Sequence, residues 1–389
     1  MPDASAIPLG LYVHLPWCVR KCPYCDFNSH AAPERLPERD YVAALLADLA
    51  ADAPRVADRV VGTIFLGGGT PSLFSGAAIA TLLDGVRARL ALDPAAEITL
   101  EANPGAIDAA HFARYREAGV NRLSIGVQSL RAPQLAALGR IHSPEEAARA
   151  VETARTAGFE NINLDLMHGL PGDAPGDTLR ELEAALAFGT PHLSWYQLTL
   201  EAGTTFAAQP PALPPADRVA EEFEAGVALL AAQGYARYEI SAFARAGRGC
   251  PHNLNYWQFG DYLGIGAGAH AKLTTADGRI LRSARRRSPV TYLKTAGTPA
   301  ALEDSHDVPP GERTIEFMLN ALRLLEGFPR AHFSARTGLP AAALDAPVSR
   351  AVARGLLTTT EERIAPTPLG TRFLNDLLLL FTPDPELAA

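Results

Sequence analysis

Cys18-Val19-Arg20-Lys21-Cys22-Pro23-Tyr24-Cys25 holds three of the four cysteines in this 389-residue chain. Free cysteines are ordinarily scattered, buried and inert, so three crowded into one short loop point to ligation. Zinc fingers and ribbons close four ligands, usually as two spaced pairs. Here the spacing is C-x3-C-x2-C and it stops at three, with Cys250 far along the chain. Thiolates are the ligands of iron–sulfur centres, and a four-iron cluster held by three of them keeps one iron open to an outside ligand. The competing assignment is a structural zinc site completed by His14 or His30, both close in sequence.

Working outward, the loop follows a short apolar strand, Leu11 to Leu15. Val42, Leu45, Leu46 and Leu49 then share one helical face. Val60 to Leu66 is a second strand, running into Gly67-Gly68-Gly69-Thr70-Pro71, and Ile79, Leu82, Leu83, Val86 and Leu90 mark the next amphipathic helix. Further strands are expected at Glu97 to Glu101, Arg122 to Val127, Asn161 to Met167 and His192 to Leu198. Helical stretches separate them, the first following Gly105 up to Gly119. Six strand–helix units imply a parallel sheet with crossover helices. The fold class is therefore α/β, an open partial (β/α)6 TIM-like barrel. Glu101, Gln128, Asp165 and the glycine run all fall at or near the carboxyl ends of strands, the face where such barrels build their sites. Glu101 and Asp165 interrupt apolar strands, and a buried carboxylate needs a partner or a ligand.

Past Gly234 the alternation weakens, and Tyr235 to Ala242 is a further strand or an extended link. The segment from His252-Asn253-Leu254-Asn255-Tyr256-Trp257 to His270 is rich in aromatics and glycine, and the tail from Arg313 is helical with short strands near Leu356-Leu357 and Ile364. The division expected is 1–240 as the core, 241–305 as a connecting segment and 306–389 as a small helical, winged-helix-like domain with a packing or lid role.

Tyr12-Val13-His14-Leu15-Pro16-Trp17-Cys18 with Cys22 and Cys25 resembles the radical S-adenosylmethionine (SAM) superfamily. The resemblance implies a [4Fe-4S] cluster on Cys18, Cys22 and Cys25, whose open iron binds the amino and carboxylate groups of SAM. It implies a SAM pocket built from Tyr12, Tyr24, Gly68, Gly69, Thr70, Glu101, Gln128, Arg140 and Asp165, with Thr199 a weaker carry-over. The run from Tyr12 through Leu170-Pro171-Gly172, and the tail, are similar to the oxygen-independent coproporphyrinogen oxidase branch. Within it, Cys25-Asp26-Phe27-Asn28-Ser29-His30 and the HNxxYW stretch look like the HemW-type heme chaperones. The dehydrogenases of that branch carry a fourth cysteine where this chain has Phe27, and a longer N-terminal segment. Both departures disfavour decarboxylation of coproporphyrinogen, which is the alternative function. A chaperone implies heme, heme-accepting proteins and an electron donor as partners, with His252 the heme-ligand candidate in a partly open aromatic site. Cys250 is taken as an ordinary buried thiol.

Net charge is −8, from 35 basic and 43 acidic residues, which makes a phosphate-backbone binder a poor fit; no nucleic-acid partner is expected. Arg285-Arg286-Arg287 reads as a solvated loop. No apolar run is long enough to span a bilayer and no signal peptide is visible. Clustered thiols suit a reducing compartment, so a cytoplasmic protein is expected, monomer or homodimer, with at most peripheral membrane contact.

Overall fold

Inward-facing positions on the first six long strands are mostly polar, while outward positions are mostly apolar, and this alternation sets the architecture. The computed structural model describes residues 2–105 and 109–382; the start of the helix expected after Gly105 and the end of the tail lie outside them. Six strands run parallel and in chain order: β1 (Leu9–Leu15), β2 (Val60–Gly68), β3 (Ala91–Ala102), β4 (Arg122–Gln128), β5 (Asn161–His168) and β6 (His192–Gln197). Leu11, Val13, Ile64, Leu66, Leu100, Leu123, Ile125, Ile162, Leu164 and Leu193 are buried in one outer core beneath the crossover helices. Period-two alternation leaves Tyr12, Phe65, Glu101, Ser124, Asp165 and Ser194 to line the concave side.

The sheet does not stop at six strands. Asp261–Ile265 pairs parallel with β1, and His270–Thr274, Ile280–Arg285 and Leu302–Asp307 follow antiparallel; Ala242–Ala244 and Ala236–Arg237 extend the other edge beyond β6. The twelve strands form an open sheet. The stretch expected to connect two domains thus supplies five of those strands, the last running on to Asp307. Helical spacing does not reveal them because each is short and interrupted by glycine or charge. Residues 236–244 resolve the strand-or-link choice as two short strands.

The basic run is a correction. Arg285 ends a strand and is buried, donating to Asp48 Oδ2 at 2.9 Å and Asp52 Oδ2 at 2.5 Å from helix Glu38–Asp52, while Arg286 and Arg287 are exposed. A guanidinium fork between two carboxylates satisfies all three charges, which is what lets an arginine enter the core. Asp48 also accepts from the Tyr292 hydroxyl at 2.7 Å, and that hydroxyl accepts from Gly266 N at 3.0 Å.

The tail carries a three-stranded sheet of Phe328–Pro329, Arg363–Pro366 and Leu357–Thr359 with short helices around it, the winged-helix-like arrangement expected. Phe317, Phe328 and Phe333 pack with Phe259 and Ile280 from the sheet extension. Arg323 lies over the Trp257 ring at 4.3 Å and donates to Glu239 at 3.0 Å. Those contacts lie on the side of the barrel away from the cysteine loop, and the described part of the tail packs there. Among the described residues no helix is long and apolar enough to cross a membrane.

Arg285→Met leaves the buried Asp48 without its cation and Asp52 with only Arg55, whose Nη1 lies 3.1 Å from Asp52 Oδ1. It is expected to lower unfolding stability by about 3–5 kcal/mol, read from urea midpoints; a loss below roughly 1 kcal/mol, no more than an exposed ion pair contributes, would contradict the buried assignment.

Candidate functional site

The cysteine loop leaves β1 at its carboxyl end, and three separate attachments hold it there. His14 Nε2 donates to Asn28 O at 3.0 Å, which fixes the tautomer and leaves Nδ1 to accept from the Tyr12 hydroxyl at 2.9 Å. Asn28 Nδ2 donates to Ala267 O and Arg287 O, both at 2.9 Å. Gly69 N donates to Leu15 O and Thr70 N to Trp17 O, so the glycine run is stitched to the start of the loop. Gly68 has φ +114°, and a Cβ there would meet the His14 ring at 2.5 Å; only glycine permits this approach. Gly266, with φ +105°, backs the same strand end, since its Cβ would sit 2.3 Å from His14 O.

Cys18, Cys22 and Cys25 are free and partly exposed, and they face one cavity of about 350 Å³. Among the described residues no three His, Cys, Asp or Glu side chains converge as a single-ion site. His14 has both ring nitrogens committed, which removes it as the completing ligand of the zinc alternative, and His30 Nε2 meets Asn28 Oδ1 at 3.3 Å. Three soft thiols with no fourth protein ligand fit an iron–sulfur cluster. Burial pushes the Cys18 thiol up, and the Thr70 hydroxyl opposes it. Arg140 Nη1 points at Cys22 Sγ at 3.7 Å, while Nη2 donates to Asn103 Oδ1 and Gly126 O, each at 2.7 Å.

The same cavity is lined by Tyr24, Gly68, Gly69, Thr70, Glu101, Gln128, Arg140, Asp165 and Thr199. Nearly all the sequence-expected pocket residues therefore meet at one mouth. Tyr12 does not line it; its ring lies below, hydrogen-bonded to His14, and supports the loop from beneath. Thr199 is at the exposed rim, donating to Glu201 Oε1 at 2.8 Å. Gln128 closes β4 with φ +66°, a left-handed conformation that is costly for a residue with a Cβ, and its Oε1 accepts from the Tyr196 hydroxyl at 2.6 Å. Sequence reading assigned no role to Asn103, Tyr196 or Asn28. Asn103 bridges Thr70 Oγ1 and Arg140; its position two residues past Glu101 on the same strand face was the only available signal.

Glu101 and Asp165 are the electrostatic centre of the cavity. Burial, and then the neighbouring Asp165, push the Glu101 carboxyl up to about 8, against a hydrogen bond of 3.1 Å from Gly68 N. Burial also raises Asp165, opposed by hydrogen bonds from Asn163 Nδ2 at 2.8 Å and Ser124 Oγ at 3.1 Å. Two buried acids side by side present acceptors to a ligand carrying ammonium or hydroxyl donors.

His252 is not at this mouth, and the open aromatic site expected for it is corrected. It sits on helix Pro251–Trp257, which plugs the amino-terminal end of the barrel, and it is 1% exposed. Nδ1 pairs with Thr63 Oγ1 and Nε2 with the Tyr256 hydroxyl, both at 2.8 Å. Burial, and then Arg122, hold its imidazole down at about 3, so it is neutral. Neither ring nitrogen is free for iron in this arrangement. Cys250 is buried beside Glu97, its thiol pushed up to about 11 by burial.

A carboxyl whose folded pKa lies above its unfolded value weakens folding as pH rises between the two. Above about 8 the Glu101 cost is complete, and near 4.5 it vanishes. Glu101→Gln is therefore expected to raise the melting temperature of the ligand-free protein at pH 8 and to leave it nearly unchanged at pH 5; a variant less stable than wild type at pH 8 would contradict this.

The description "Radical SAM superfamily" matches residues 12–185, and "HemN C-terminal domain" matches residues 308–373. The chain is 52% identical to the protein called heme chaperone HemW of Escherichia coli, across 96% of this chain and 98% of that one. It is 46% identical to the protein of the same name in Haemophilus influenzae over the same shares. Among solved structures, coproporphyrinogen III oxidase (HemN) of Escherichia coli superposes with a TM-score of 0.81, covering 97% of this chain and 91% of that one at 23% identity, a likeness of fold. The chain belongs to the radical SAM superfamily and, within it, to the family of the heme chaperone HemW proteins.

Proposed function

We propose that this chain is a heme chaperone: it binds heme, carries a [4Fe-4S] cluster with SAM, and passes heme to acceptor proteins. The observation that carries the reading is the three-thiol mouth over an acid-lined cavity, in a chain that aligns end to end with proteins named for heme chaperoning. Cys18, Cys22 and Cys25 would hold the cluster. Gly68, Gly69, Thr70, Glu101, Gln128, Arg140 and Asp165 would hold SAM, with Tyr24 and Thr199 at the edges and Tyr12 supporting the cysteine loop. When bound, the cluster supplies an open coordination position and an electron. The protein's part is to orient and exclude water: Arg140 directs N–H donors at Cys22 and Asn103, and the Glu101–Asp165 pair accepts donors from the ligand. Residues 1–240, 241–305 and 306–389 serve as radical SAM core, connecting and plugging segment, and packing domain. The setting is cytoplasmic, with an electron donor as partner and a monomer or homodimer as the working state.

His252 reaches a heme iron only if helix Pro251–Trp257 leaves the barrel floor, because its nitrogens are committed to Thr63 and Tyr256. A site that must open before it binds has its apparent affinity reduced by the fraction open. Phe27, 60% exposed at the cavity mouth, occupies the place of the fourth cysteine of the dehydrogenases.

Two outcomes are expected. Anaerobically reconstituted protein loaded with heme should transfer it to an apo-hemoprotein, seen as the acceptor's Soret band, and should yield no protoporphyrinogen from coproporphyrinogen; stoichiometric turnover of coproporphyrinogen with no heme transfer would overturn the proposal. In heme titrations, His252→Ala should weaken binding while Thr63→Val, which releases Nδ1 and removes one of the two bonds holding the imidazole on the floor, should strengthen it several-fold. If both variants match wild type in spectrum and affinity, the iron ligand lies elsewhere.

A further inference from the structure

Beneath the cofactor cavity lies a second chamber of about 230 Å³. It shares Glu101, Ser124 and Asp165 with the cavity above and is floored by His252 and Tyr256. Arg122 lines it and is 2% exposed, yet among the described residues its Nε has no hydrogen-bond partner and its single ion pair is a loose one to Glu97 Oε2 at 3.8 Å. A guanidinium carries five donors and cannot shed its charge. Leaving such donors unmet in the interior costs several kcal/mol, and every other buried arginine described above has a close carboxylate or carbonyl. The chamber is polar and roomy enough for water, which settles where several polar groups converge.

An anion is the wrong occupant, because Glu97, Glu101 and Asp165 all face the same space or its wall. Water fits instead, since it can accept from a guanidinium and donate to a carboxylate. We propose that Arg122 is a positioning residue of the cofactor site, acting through ordered water in the lower chamber to keep Asp165 ionised, so that the Glu101–Asp165 pair meets its ligand with one carboxylate already charged. This rests on the cofactor reading above and adds to it a residue that touches neither cluster nor ligand. The groups facing Asp165 are Glu101 on β3, Arg122 and Ser124 on β4, Asn163 on its own strand, Ser194 and Tyr196 on β6, Tyr12 on β1, and His252 and Tyr256 on the plug helix, with Tyr24 and Arg140 lining the cavity above. Among the described residues Arg122 is the only cation lining the lower chamber, since His252 is held neutral by burial; Arg140 lines the cavity above and is bound to Asn103 Oδ1 and Gly126 O. The hydrogen bonds from Asn163 and Ser124 work in the same direction as Arg122.

The test is calorimetric SAM binding to anaerobically reconstituted protein across a pH series. In wild type, affinity should fall on the acid side as Asp165 takes up a proton. In Arg122→Met that acid limb should move up by about one pH unit, with cluster iron unchanged, and Arg122→Lys should return most of the shift. A merely structural role would lower affinity at every pH without moving the limb; coincident limbs in wild type and Arg122→Met overturn the inference. Proton release on binding in wild type, from buffers of differing ionisation enthalpy, gives a second reading that needs no variant. At pH 7 about one proton or fewer is expected, and release of about two, both acids having been neutral, overturns it. A wild type that binds no SAM at any pH fails the cofactor reading itself, and the inference with it.

Discussion

The mouth of the barrel depends on Asn28. Its backbone carbonyl accepts from His14 at the end of β1, and its side-chain amide donates to Ala267 and Arg287 in the sheet extension. One residue thus ties the cysteine loop to the strand it leaves and to the segment behind it. A loop of this length has no core of its own, so its geometry is borrowed from such attachments. The buried Tyr41 hydroxyl makes a second bridge between the same partners, donating to His14 O and accepting from Ala267 N. Arg285, Asp48 and Tyr292 then fix the Gly266 turn from below. The sheet extension beyond β1 serves as the backing plate for the thiols.

A polar interior follows from leaving the sheet open. A closed barrel fills its centre with layered apolar side chains; here the centre is charged and hydrogen-bonded, and something must exclude bulk water from its lower end. Helix Pro251–Trp257 does this. His252 and Tyr256 enter the floor, Trp257 is covered by Arg323 of the tail, and the Glu101–Asp165 pair above is isolated enough for its protonation to be shifted. Floor plug, acid pair and thiol loop are three levels of one column, and His252 shares the lower chamber with Glu101 and Asp165.

Much of this was legible in the sequence for a physical reason. The six parallel strands announce themselves as apolar runs spaced by helical periodicity, and the candidate site residues sit at or near the carboxyl ends of strands, so position in the pattern already marks Glu101, Gln128 and Asp165. The cysteine spacing is local and survives without any fold. What could not be read were long-range pairings. Asn28 with Ala267, Arg285 with Asp48 and Asp52, and Arg122 with its chamber join positions that no periodicity connects. His252 misled because aromatic neighbours in sequence suggest an open ligand site, whereas at helical spacing His252 and Tyr256 are each other's hydrogen-bond partners. The short strands from Asp261 onward were missed because glycine and charge disguise them.

The account centres on three thiolates that leave one iron open toward the Glu101–Asp165 cavity. The most direct measurement is electron–nuclear double resonance on the reduced, reconstituted protein, with SAM isotopically labelled at its amino nitrogen and carboxylate carbon. The account predicts hyperfine coupling of both labels to the cluster, lost when Cys18, Cys22 or Cys25 is replaced by serine. A reduced cluster whose spectrum is indifferent to labelled SAM would contradict it.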